Sequence, residues 1–154
     1  IVIPANYNSP GQLVISGEVA AVGKAMEAAK ERGAKVVKEL NVSGAFHSPL
    51  MEKASEELYA ELDETDFRDP HFPVFHNASA EKAASSDEIR ELLKRQLVSP
   101  VLWEQSVKNM ITLGDSFLEV GPGKVLTGLM KRIDRSCACS AVNSVDAMQN
   151  LAND

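Results

Sequence analysis

The sequence predicts an α/β fold, and three features carry that reading. Beyond residue 44, short β-favouring segments alternate with segments of helical periodicity, the order expected of a parallel α/β layer. Helix-start and helix-stop residues stand at the joints between them: Ser48-Pro49, Ser85 with Glu88, Ser99-Pro100, Gly114 and Ser144. Hydrophobic residues make up 44% and charged residues 25% of the 154, enough apolar matter for one compact core and too much for a disordered chain.

In chain order, residues 1–7 and 12–16 read as strands about the turn Asn8-Ser9-Pro10-Gly11, where proline presets one central residue and glycine suits the next. From Glu18 to Arg32, Val19, Val22, Ala25, Met26 and Ala29 recur at helical spacing; acid opens this helix, base closes it, and Gly33 stands where a left-handed cap belongs. Residues 35–40 read as a strand. These elements make part of a small α+β unit, since one helix has too little sheet here to cover. Residues 41–47 form a loop of small residues with one aromatic. Ser48 and Pro49 then supply the cap and first-turn proline of a helix whose inward stripe is Leu50, Met51, Ala54, Leu58 and Leu62. Residues 73–77 are a short strand. Ser85 and Glu88 form a capping box that opens a helix turning Ile89, Leu92, Leu93 and Leu97 inward. Ser99-Pro100 opens another, which Gly114 stops. Residues 116–120 are a strand, Gly121-Pro122-Gly123 a tight turn, and Val125, Leu126, Leu129, Met130 and Ile133 line the next helix. Residues 137–142 form the last strand, and Ser144 caps a final helix.

The formal net charge of −6 disfavours a nucleic-acid partner, which needs a basic face to release counterions. No apolar run approaches the roughly 20 residues of a membrane span. The chain opens on Ile1-Val2-Ile3-Pro4, with no basic region or cleavage site of a secretion signal and no initiator Met; it reads as starting within a longer protein, as processed, or as an excerpt. Cys137 and Cys139, two apart on one strand, cannot easily close a disulfide, and no Cys/His partners stand at zinc spacing. Free thiols in a reducing cytoplasm, with no metal, are the expectation.

Three histidines are candidates for chemistry. His47 lies between a strand and a capped helix, where α/β enzymes place bases, although a plain helix-entry residue also fits. His71 reads as a solvated loop residue; His76, ending a strand beside Asn77, could face a cleft, although a satisfied core histidine is the commoner case. No Gly-x-Ser-x-Gly elbow occurs. Gly114-Asp115-Ser116-Phe117 falls between helix and strand, the wrong end of a strand for a nucleophile. Gly121-Pro122-Gly123-Lys124 fails as a phosphate loop, because the first glycine of that spacing is absent and Val125 replaces the metal-binding hydroxyl.

Four blocks in order carry a resemblance over the whole chain: Asn6-Tyr7-Asn8-Ser9-Pro10-Gly11-Gln12-Leu13-Val14-Ile15-Ser16-Gly17, Gly44-Ala45-Phe46-His47-Ser48-Pro49-Leu50-Met51, Arg95-Gln96-Leu97-Val98-Ser99-Pro100-Val101-Leu102-Trp103, and Glu119-Val120-Gly121-Pro122-Gly123-Lys124-Val125-Leu126. Together they resemble the malonyl-CoA:acyl-carrier-protein transacylases of fatty acid synthesis, and the related acyltransferase domains of polyketide synthases. The match covers about the second half of that family's catalytic domain. It implies that residues 1–43 are the trailing part of a small ferredoxin-like insert and 44–154 the trailing part of an α/β-hydrolase-like core. It also implies ping-pong transfer of malonyl from coenzyme A to the phosphopantetheine thiol of acyl carrier protein, in the cytoplasm, with no cofactor beyond the thioester.

Within that resemblance, His47 matches the catalytic histidine and Gln96 the residue whose backbone carbonyl orients it. Asn8 and Gln12 match positions near the pantetheine entrance, and Phe46 a residue that accompanies malonyl over methylmalonyl choice. The nucleophilic serine, the arginine for the malonyl carboxylate and the oxyanion donors belong to the family's other half. Lys124, Lys131 and Arg132 are candidates to meet an acidic carrier protein or coenzyme A phosphates; a helix end complementing its dipole explains them as well. A polyketide-synthase domain and a non-catalytic carrier-protein-binding relative remain open alternatives. Alone, such a half should leave an open sheet edge and apolar helix faces bare, Leu92, Leu93, Leu126 and Leu129 among them.

Overall fold

The computed structural model describes residues 1–114 and 116–151. It opens with an antiparallel hairpin, β1 (Val2–Ser9) and β2 (Gln12–Gly17), turned at Pro10-Gly11 with Gly11 at φ +75°. Helix α1 (Val19–Glu31) packs back on it, and Gly33 takes the left-handed conformation just past the helix end. Pairing slips in β1 at Ala5 and Asn8, which fall outside the register with β2. Such bulges swing residues out of strict alternation. The irregularity lets β1 use its other edge: Val101 N–H donates to the Ala5 carbonyl at 2.8 Å, and Tyr7 N–H donates to the Val101 carbonyl at 2.9 Å.

That contact explains one departure from the sequence reading. Ser99-Pro100 does not open a helix; the chain stays extended through Val101 to ladder with β1, and α4 (Trp103–Ile111) begins two residues later. A second departure is residues 35–40, which form no strand. A strand needs a ladder partner, and β1 and β2 pair only with each other within their sheet.

After the loop, Ser48 caps a 3₁₀ turn (Pro49–Met51) that runs into α2 (Glu52–Glu64). The expected apolar stripe of this helix is covered only in part, with Met51 and Leu62 half-buried. Leu50, Ala54 and Leu58 are exposed and Ser55 is buried, while α2 packs against α3 (Ser86–Gln96). Residues 73–77 shrink to β3 (Val74–Phe75), paired antiparallel with an unexpected β4 (Lys82–Ala83). The expected α/β layer is a single parallel pair, β5 (Ser116–Val120) and β6 (Ala138–Val142), joined by α5 (Val125–Ile133) and followed by α6 (Val145–Leu151). Asp115, of the discarded Gly-Asp-Ser block, lies outside the described residues.

The core is thin. Eight hydrophobic side chains are buried among the described residues, four of them alanines, and the largest that is fully buried is Val107. The chain exposes 10625 Å². A compact monomer of 16.7 kDa exposes about 7,600 Å² by the surface-to-mass scaling. The surplus lies on particular faces: Leu118 and Val120 of β5 are 50% and 79% exposed, and Leu126 is 39% exposed. Leu92 and Leu129, expected bare, are instead buried, and Leu93 is half-buried. Their helices find partners within the chain, α3 on α2 and α5 on β1, β6 and α4.

Candidate active site

A helix leaves its last carbonyls without intrahelical partners. At the end of α3, two of these meet the same residue. His47 N–H donates to the Leu97 carbonyl at 3.0 Å, and the Gln96 carbonyl lies 3.0 Å from His47 Nδ1. Since a carbonyl only accepts, Nδ1 carries the proton and Nε2 is left with the lone pair. The Gln96 side-chain amide approaches Nδ1 at 3.5 Å, a weaker contact of the opposite polarity. Nε2 makes no hydrogen bond among the described residues.

The backbone at His47 is unusual. Its φ is +62°, in the left-handed region that non-glycine residues rarely occupy. Such strain persists only where surrounding bonds over-determine it. Here they come from both sides: Leu97 holds the histidine N–H, and the fully buried Ser48 donates its hydroxyl to the Ala45 carbonyl at 2.6 Å. Phe46 projects beside this loop, 42% exposed. Gly44 leaves room for the ring, since a Cβ there would stand 3.3 Å from Phe46 Cε2.

Asn8 and Gln12 lie elsewhere, lining a cleft of about 340 Å³ with Asn77, Trp103 and the apolar Val101, Val125, Leu126 and Leu129. Phe46, His47 and Gln96 do not line it. Gln12 is already engaged, its Oε1 accepting from Arg132 at 2.7 Å and from the Ser9 hydroxyl at 3.5 Å. Asn77 and Trp103 were not singled out as cleft residues from the sequence. They join it because Leu102 N–H donates to the Asn77 carbonyl at 2.9 Å, a contact with no sequence signal.

The remaining candidates resolve simply. Glu119 occupies the N-terminus of α5, accepting from Leu126 N–H at 3.0 Å and from Thr127 N–H and hydroxyl at 2.7 Å each. These bonds, the one from Thr127 N–H foremost, hold its carboxyl below the usual range. The Gly-Pro-Gly-Lys turn thus already carries its anion. Lys124 stands at the start of α5 and Lys131 and Arg132 at its end, about 10 Å apart along the axis, so the three do not make one patch. His71 is exposed. His76 is buried, as expected, but departs from the expectation of a satisfied histidine: its Nε2 has no partner among the described residues, and burial pushes its pKa down despite the nearby Glu88. Among the described residues no group of three His, Cys, Asp or Glu is placed to hold a metal, and no helix is long and apolar enough to cross a membrane.

A helix C-terminus thus orients a histidine through a main-chain carbonyl in a mixed α/β scaffold, an arrangement suited to a general base. The chain belongs to the acyl transferase domain family, whose pattern matches residues 1–151. It is 45% identical over 146 residues to the malonyl CoA-acyl carrier protein transacylase of Bacillus subtilis (strain 168), covering 94% of this chain and 46% of that protein. It is 46% identical over 149 residues to the transacylase of the same name in Escherichia coli (strain K12), covering 96% and 48%. Among solved structures it superposes on an acyl carrier protein S-malonyltransferase from Vibrio cholerae with a TM-score of 0.93 at 42% identity, covering 97% of this chain and 49% of that one. A malonyl-transacylase in complex with its type II PKS acyl-carrier protein gives the same TM-score and identity, covering 100% and 50%. The chain thus spans about half the length of the curated relatives it matches.

Proposed function

We propose that this chain is the histidine-bearing half of a malonyl-CoA:acyl-carrier-protein transacylase, working with a serine that lies outside it. The observation that carries the reading is the 3.0 Å contact between His47 Nδ1 and the Gln96 carbonyl, which leaves Nε2 as a base. In the first half-reaction the serine oxygen attacks the malonyl thioester carbon and gives its proton to His47 Nε2. The C–S bond then breaks, and the coenzyme A thiolate takes that proton. In the second, the phosphopantetheine thiol of acyl carrier protein gives its proton to Nε2 and attacks the acyl-serine; the C–O bond breaks and the serine recovers the proton. A neutral carbonyl behind the ring fixes the tautomer but stabilises imidazolium less than a carboxylate would.

On this reading, residues 1–43 are the trailing part of a ferredoxin-like small subdomain and 44–154 the trailing part of the acyltransferase core. Asn8 and Gln12 border the pantetheine path, Phe46 faces the malonyl α-carbon, and the enzyme is cytoplasmic and needs no cofactor beyond its thioesters. The similarity to a transacylase solved with a type II PKS carrier keeps polyketide synthesis as a second setting for the same chemistry. The test is acylation of the complete enzyme by malonyl-CoA, followed by mass. A positioned base contributes about 10²–10⁴-fold, so His47→Ala should slow acylation by that factor; a folded variant acylating at the wild-type rate would exclude His47 as the base.

A further inference from the structure

We propose that Ser48 is a positioning residue for His47, its buried hydroxyl closing the turn that presents the ring to the Gln96 carbonyl. This rests on the reading of His47 as the base, and adds how the chain holds that base in its working tautomer. Ser48 is 0% exposed. Its Oγ donates to the Ala45 carbonyl at 2.6 Å and accepts from Leu50 N–H at 3.3 Å. The second bond is an ordinary helix cap. The first is not part of capping: it ties the residue after the histidine to the residue two before it, so that Ala45, Phe46, His47 and Ser48 form a closed loop with φ +62° at position 47. Leu97 fixes the other side of the loop by accepting from His47 N–H. Without the Ser48 hydroxyl the turn loses its tie to Ala45, and the bonds of His47 to Leu97 and Gln96 are left to oppose relaxation of residue 47 toward ordinary backbone angles, which would carry the ring away from Gln96. A neutral histidine side chain free in water prefers its proton on Nε2, the nitrogen the chemistry needs bare. Ser48 therefore controls which ring nitrogen is available.

The experiment compares Ser48→Ala and Ser48→Thr in the complete enzyme, with ring ¹H–¹⁵N correlations of ¹⁵N-histidine-labelled protein; His47→Ala identifies the His47 signals. Wild type and Ser48→Thr should show the Nδ1–H tautomer. Ser48→Ala should show the Nε2–H form gaining population, with acylation slowed about 10- to 100-fold, as a misplacement of about 1 Å costs. Should Ser48→Ala fail to fold, Ser48→Gly removes the same hydroxyl while glycine remains an acceptable helix-start residue. An unchanged Nδ1–H tautomer in the folded hydroxyl-less variant overturns the proposal. A shifted tautomer with an unchanged rate upholds the role of Ser48 and instead removes His47 from the chemistry.

Discussion

His47 can be replaced by alanine and, separately, by glycine, and the difference between the two variants isolates its backbone. Both lose the ring and its 3.0 Å bond to Gln96, so that loss cancels in the comparison. What remains is φ +62°. Alanine there carries the left-handed penalty of about 1–2 kcal/mol. Glycine does not, though its greater freedom in the unfolded chain offsets about 0.4–1 kcal/mol of the advantage. His47→Gly should therefore be more stable than His47→Ala by about 0.5–1 kcal/mol, the reverse of the usual order at an ordinary position. Urea titration of the two variants of the complete enzyme reads this as a higher midpoint for glycine with the same slope. Malonyl transfer should be equally poor in both. An alanine variant as stable as the glycine variant would show that residue 47 is not held in the left-handed region.

Gln96→Ala should cost far less activity than His47→Ala, because the main-chain carbonyl orients the ring; a loss as large as that of His47→Ala in steady-state transfer would move the role to the side chain. Phe46→Ser should narrow the preference for malonyl over methylmalonyl thioesters by at most about 1–3 kcal/mol, the scale of one methyl group; an unchanged ratio of kcat/KM would place selection elsewhere. Glu119, with its carboxyl below the usual range, stabilises the fold above its unfolded pKa, and that contribution disappears as pH falls through its lower folded value. Glu119→Gln should thus lose stability at neutral pH and show a shallower decline on acidification, read by unfolding midpoints across pH; parallel decline in both proteins would rule this out. Residues 1–154 alone should transfer no malonyl from coenzyme A to carrier protein and should bind a hydrophobic dye; transfer above background by mass would mean that a nucleophile lies within the chain.

Local signals read well where they act alone. The Pro-Gly turn, the helix ending before Gly33 and the Ser85 cap of α3 all depend on neighbours in sequence and form at the expected places, although Glu88 reaches back to Ala84 N–H rather than to Ser85 as a full capping box would. The failures occur where a distant backbone decides. Ser99-Pro100 carries a helix-start signal, but β1 claims Val101 for its ladder; residues 35–40 favour a strand, but nothing described pairs with them. The apolar face of α2 follows the 3.6 period, yet Leu50, Ala54 and Leu58 stay exposed while Ser55 is buried. The site divides similarly. His47 could be picked out as a loop histidine before a capped helix, and Ser48 as that cap. The positive φ, and the hydroxyl bond to Ala45, arise only when the loop closes on the end of α3.

The pairing of Val101 with β1 has a mechanical consequence. Val101 is held to β1 through both its N–H and its carbonyl, by Ala5 and Tyr7, while Leu97, four residues earlier, holds the backbone of His47. The intervening stretch includes Pro100, whose φ is locked. The hairpin and the histidine loop are therefore hydrogen-bonded to the two ends of one five-residue segment, 97–101, which sets the distance between the Asn8 side of the molecule and the ring.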